Sequence, residues 1–171
     1  KIFNNYGIIY YASEQEKLKI NFYQENSDKV ALCQHFPLGI SSIIPDYKNN
    51  LNSCLFPLIE NLFANKENLK YMHSPQVLYY VDDNKIRIIN DGIGFGRLYE
   101  HKTKDGIFWS NRIGSSIVFS ESCPNLNEKA MAVYLGLGQF LNKDTAFEGI
   151  NVVDPGTLIE VTNNKINYTK Y

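Results

Sequence analysis

The chain has 171 residues, 44% of them hydrophobic, and its 17 basic and 18 acidic residues leave a net charge of -1. That length holds one well-buried core and is short for two, so a single domain over residues 1–171 is expected. A near-neutral chain lacks the basic face that nucleic acid or an anionic membrane requires, and no apolar run reaches bilayer-spanning length.

In chain order, Gly7 to Ala12 is an apolar run of strand length, and Leu18, Ile20 and Phe22 alternate with polar residues as a strand with one wet face would. Val30 to Phe36 is a third strand candidate, so the first third predicts an antiparallel sheet. Pro37 to Asn50 has loop composition. Leu51, Leu55, Leu58, Ile59 and Leu62 then share one helical face, and Pro57 predicts either a helix that starts near Ser53, with the proline close to its first turn, or one that is kinked.

Three hairpins follow from short turn signals. Asp83-Asn84 joins 76–82 to 85–90, Asp105-Gly106 joins 98–101 to 107–110, and Asn163-Asn164 joins 158–161 to 165–168. A second helix is expected from an Asn125 cap, with Glu128 three positions on and an apolar stripe of Ala130, Tyr134, Leu137 and Leu141. A connecting segment through Phe147, Gly149 and Ile150 leads to an Asp154-Pro155-Gly156 turn and a strand from Thr157. Many strands with two helices predict an α+β fold.

The start, KIFNNYGIIYYAS, has no signal-peptide core, and a cytoplasmic protein is expected. Cys33, Cys54 and Cys123 are widely spaced and form no C-x-x-C pair, which predicts reduced thiols, no disulfide framework and no zinc.

The C-terminal half resembles the glutamine amidotransferase domain of the asparagine synthetase family. The pattern A-x-x-x-Y-L-x-x-G, a spacer, then T-x-F-x-G-I-x-x-x-x-P-G stands as Ala130, Tyr134, Leu135, Gly138, Thr145, Phe147, Gly149, Ile150, Pro155 and Gly156. Upstream, Asp91, Gly94, Leu98 and Tyr99 fit D-x-x-G-x-x-x-L-Y, and Phe108, Trp109 and Ser110 fall where the family has F-A-S. The resemblance implies an Ntn-hydrolase-like fold, a four-layer α/β/β/α sandwich of two antiparallel sheets with the helices outside.

In that family an N-terminal cysteine followed by Gly-Ile attacks the glutamine amide, with its own α-amine as base. The matching register here is Tyr6-Gly7-Ile8, with tyrosine in the nucleophile's place and five residues ahead of it. A phenol, protonated at neutral pH, is a poor acyl acceptor. The family's R-G-P-D clamp has only Pro45-Asp46 as its remnant, its N-G-E segment is missing from ANKENLKYM, and its Asp-Gly falls near His73-Ser74. Asp46, His73 and Asp91 are therefore degenerate substrate-binding positions, and no catalytic residue is expected.

Other constellations are weaker. Cys33 and His35, at alternating positions, would make a thiol–imidazole dyad, yet neither an orienting carboxylate nor a glycine turn lies nearby, and a packed cysteine beside a partly exposed histidine is the simpler reading. Gly92, Gly94 and Gly96 lack the third fingerprint glycine and following helix of a phosphate loop. Asp82 and Asp83 read as turn residues and Asp91 as a strand terminator rather than as metal ligands. The 12 Tyr and 10 Phe, without accompanying basic residues, read as core and interface, not a base-stacking platform.

The resemblance thus implies a catalytically degenerate amidotransferase-like domain that scaffolds a C-terminal synthetase domain of the same chain, as in enzymes that close β-lactam or lasso-peptide rings. A homodimer is a second assembly to consider. No cofactor is expected here; ATP and Mg belong to the C-terminal domain. The alternative is an active glutaminase domain supplying ammonia to an asparagine synthase, which needs a Cys-Gly upstream of Lys1.

Overall fold

Six strands form an antiparallel sheet in the order β1-β2-β3-β4-β8-β9. Its strands are β1 (Tyr23–Glu25), β2 (Lys29–Cys33), β3 (Leu78–Asp82), β4 (Lys85–Ile89), β8 (Thr157–Thr162) and β9 (Lys165–Lys170). The computed structural model describes residues 6–9, 23–33, 35, 38–47, 54–73, 76–121 and 123–171. The chain divides into two compact units, Lys1–Gly96 with Pro155–Tyr171, and Arg97–Asp154.

Register explains which side chains share a face of the large sheet. Cys33 lies opposite Leu78, Leu78 opposite Ile89, and Ile89 opposite Leu158, so these four line one side. Helix α1 (Leu55–Ala64) covers that side with Leu55, Leu58, Ile59 and Leu62, all essentially buried. One row along, Tyr80, Arg87 and Glu160 are opposite one another on the same side; there Arg87 Nε bonds Glu160 Oε1 at 2.8 Å and its guanidinium lies over the Phe63 ring. The other side presents Val30, Val81, Ile86 and Val161, then Leu32, Tyr79, Ile88 and Ile159. Apart from half-buried Tyr79 and Ile86, these residues are buried, which is why β2, β3 and β8 read as near-continuous apolar runs.

Pro57 is the third residue of α1, where its missing N–H costs nothing. The Phe56 N–H just before it donates to Gln24 Oε1 at 3.0 Å, so a side chain from β1 supplies the cap that Cys54 lacks. A 3-10 turn, Lys66–Tyr71, follows, opened by the Asn65 side chain accepting from the Glu67 N–H. A second, Ile40–Ser42, lies within the predicted 37–50 loop.

The unit of residues 97–154 holds a three-stranded antiparallel sheet in the order β6-β5-β7, from β5 (Tyr99–Lys102), β6 (Ile107–Ser110) and β7 (Ile150–Val152). It also holds helices α2 (Ile113–Phe119) and α3 (Glu128–Leu137). All three predicted hairpins are present, and an α+β class with two antiparallel sheets is observed.

Several expectations are corrected. Helix α2 was not expected, and residues 150–152 form a strand rather than a connector. The cap of α3 is Asn127, whose side chain accepts from the Ala130 N–H at 3.1 Å, not Asn125. The helix stops at Gly138 in a left-handed conformation, φ 74°, so Leu141 is not on it. Its expected apolar stripe is not a core face: Ala130 is buried, but Tyr134, Leu137 and Leu141 are exposed, and Tyr134 stacks on Phe140 at 4.8 Å instead. Strand β2 ends at Cys33, short of Phe36, and β1 is an addition. Of the predicted 7–12 strand, the described residues 7–9 hold an isolated bridge at Gly7 and no strand; the remainder and the 18–22 strand lie outside the described residues. Among the described residues, no helix is long and apolar enough to cross a membrane.

Candidate functional site

Tyr6, in the nucleophile register, is half-buried on the sheet side opposite α1, packed with Ile8 and Ile86 against Val30 and Val81. Its hydroxyl lies 3.4 Å from both Asn164 Oδ1 and Asn164 N, donating to the first and accepting from the second. Asn164 sits in the β8–β9 turn with φ 59°, so the conformation that makes the hairpin also turns its polar groups toward the phenol. Tyr6 is therefore a packed ring whose hydroxyl faces Asn164. Sequence reasoning read Asn164 only as a turn residue.

Cys33 lies on the α1 side of the same sheet, fully buried. Its thiol donates to the His35 backbone carbonyl at 2.6 Å, while the His35 side chain is exposed beyond the strand end. Burial pushes the thiol up to about 12, against a smaller lowering by that hydrogen bond. The thiolate needed for nucleophilic attack is thus strongly disfavoured at neutral pH. Cys54, also buried, is pushed upward by burial as well.

These thiols give a pH prediction. A folded-state pKa above the unfolded value means stability present below the unfolded pKa and lost as pH rises toward the folded one. For Cys33 the window runs from 9.0 to about 12, worth on the order of 4 kcal/mol. Chemical denaturation between pH 8 and 11 should show a steep alkaline loss in the native chain and a shallower one in Cys33→Ala. Parallel curves would show that the buried thiol does not govern it.

Asp91 is buried and organises the glycine-rich loop. Its Oδ1 accepts from the Ile93 N–H at 2.7 Å and its Oδ2 from the Gly96 N–H at 2.5 Å, while its carbonyl accepts from the Gly156 N–H at 2.8 Å. Gly94 has φ 83°, a conformation that favours glycine, and a Cβ on Gly96 would sit 3.1 Å from the Gln76 backbone, a tight approach. The D-x-x-G pattern therefore has a structural cause: the Asp91 carboxylate closes a tight loop, and its backbone carbonyl ties that loop to the Pro155-Gly156 turn. The Tyr171 hydroxyl donates to the Asn90 carbonyl at 2.6 Å, and burial, then the Asp91 charge, push that phenol up to about 12.

Asp46 is exposed in a turn, and exposed His73 bridges to Leu38 through its backbone. Asp82 caps its hairpin, accepting from the Asn84 and Lys85 N–H groups at 2.8 and 2.9 Å and from the Tyr80 hydroxyl at 2.8 Å. Asp83 is exposed beside it. Among the described residues, no cluster of three or more His, Cys, Asp and Glu side chains could hold a metal ion.

Neither a family model nor a curated protein sequence matches the chain. Solved structures do. One is described as the allosteric regulatory enzyme of purine biosynthesis, 10% identical, TM-score 0.50, matching 87% of this chain and 30% of its own. Another is glutamine phosphoribosylpyrophosphate amidotransferase from B. subtilis, complexed with ADP and GMP, 10% identical, TM-score 0.47, matching 86% of this chain and 30% of its own. The chain thus spans about 30% of the length of these solved chains. At 10% identity the likeness to the regulatory enzyme is one of fold, an α+β arrangement with two antiparallel sheets.

Proposed function

We propose that this chain is a catalytically silent glutamine amidotransferase-like domain of an asparagine-synthetase-family protein, serving as a scaffold for an ATP-dependent synthetase domain in the same polypeptide. The observation that carries the reading is Tyr6: a phenol packed on Val30 and Val81 and bonded to Asn164 stands in the nucleophile register. Further support comes from the buried Cys33 thiol, which donates to a backbone carbonyl rather than facing an imidazole, and from the missing Arg clamp and Asn-Gly-Glu segment. Acyl transfer needs an activated nucleophile, oxyanion donors and substrate positioning together, each contributing orders of magnitude in rate.

The partner half rests on the motif resemblance and on the fold. ATP and Mg act in that domain, with an amine carried by the substrate in place of glutamine-derived ammonia. The test uses the full polypeptide: pyrophosphate release should require ATP and an amine acceptor and should be indifferent to glutamine. Release that rises on adding glutamine alone would overturn the reading.

A further inference from the structure

The last turn of α3 is apolar all round and exposed all round. Consecutive helical residues point about 100° apart, so Tyr134, Leu135, Gly136 and Leu137 together face most of the circumference. All four are exposed, Leu135 to 79%, Leu137 to 63% and Tyr134 to 41%. No charged residue occurs between Lys129 and Lys143. This end is built rather than frayed: the Gly138 N–H donates to the Tyr134 carbonyl at 2.7 Å, and the Tyr134 ring stacks on Phe140 at 4.8 Å.

A helix that is hydrophobic all round is ordinarily buried, so the exposed turn marks a surface that a partner covers. Its lack of charge is the character of a permanent interface rather than a transient one. A two-fold contact between copies of the chain would bury only the facing side of each helix and leave the outer sides wet. A membrane surface would call for basic residues on a polar face, and this turn has no polar face. An apolar groove on a permanently attached neighbour, entered by the helix end, covers every exposed side at once.

We propose that the last turn of α3 is where the synthetase domain docks, an uncharged groove of that domain receiving Leu135 and Leu137 with Tyr134 at its rim. The inference rests on the reading that such a domain shares the polypeptide, and it adds the surface that domain holds.

The test is amide hydrogen exchange, followed segment by segment in the full polypeptide and in the 171-residue chain. Residues 134–141 should exchange at least about tenfold more slowly in the full polypeptide. There, Leu135→Glu and Leu137→Glu should each remove most of that protection and leave the amides of β3 and β4 unchanged, because both side chains are exposed and do not support the fold of this chain. Protection at 134–141 that survives both substitutions would overturn the docking site. Self-association of the 171-residue chain that already protects these residues, read by sedimentation, would overturn it in favour of a second copy. Protection of another surface in place of α3, such as the Ile93 to Phe95 loop, would overturn the docking site and leave the scaffold reading standing. Equal exchange at every segment in the two proteins would overturn both.

Discussion

Leu58→Ala is expected to lower stability by about 3–4 kcal/mol, a large fraction of a small domain's total. Leu58 is fully buried on α1, within the cluster formed by Leu55, Ile59 and Leu62 with Cys33, Leu78, Ile89 and Leu158 of the sheet. The cavity would open beneath the helix against a sheet whose strands β1, β2 and β3 are hydrogen-bonded side by side and have little room to collapse inward. Urea unfolding should show a lower midpoint with an unchanged slope. Asn61→Ala, on the exposed face of the same helix, should change stability by less than about 1 kcal/mol. Equal effects of the two changes would contradict the packing described for α1.

Asp91→Ala should cost about 3–5 kcal/mol, because a carboxylate that accepts from two backbone N–H groups is removed and the buried Gly96 N–H loses its partner. Asp91→Asn, which keeps one acceptor oxygen, should cost less. The loop displays Ile93 and Phe95 with 66% and 75% of their surfaces exposed, so its loosening should appear as faster proteolysis at Phe95 in Asp91→Ala. If both substitutions cost less than about 1 kcal/mol, the carboxylate does not hold the loop.

The readability of the fold follows from how local each determinant is. The hairpins at Asp83-Asn84, Asp105-Gly106 and Asn163-Asn164 were legible because turn chemistry and strand alternation are encoded within a dozen residues. Helix α2 was not, because IGSSIVF is rich in β-branched residues, serine and glycine, and its helicity is set by context. The α3 cap was misplaced by two residues because Asn125 and Asn127 both offer a capping amide, and only the bond to the Ala130 N–H distinguishes them. Its apolar stripe misled because hydrophobic spacing reports amphipathicity, not what covers the face.

At the site, the Tyr6 hydroxyl's partner, 158 residues away at Asn164, left no sequence trace. Asp91 was read as a strand terminator because its two backbone partners lie within five residues, in a loop whose path composition alone does not define. The reading of Cys33 and His35 as alternating strand positions assumed that the strand continues through Phe36. It ends at Cys33, and the thiol bonds the His35 backbone.

The central claim is tested most directly by following glutamate production from glutamine by the purified chain, with Tyr6→Phe and Cys33→Ala measured alongside. The account predicts no turnover above the uncatalysed rate in any of the three. Turnover that persists in Tyr6→Phe and disappears in Cys33→Ala would contradict it and assign the chemistry to the buried thiol.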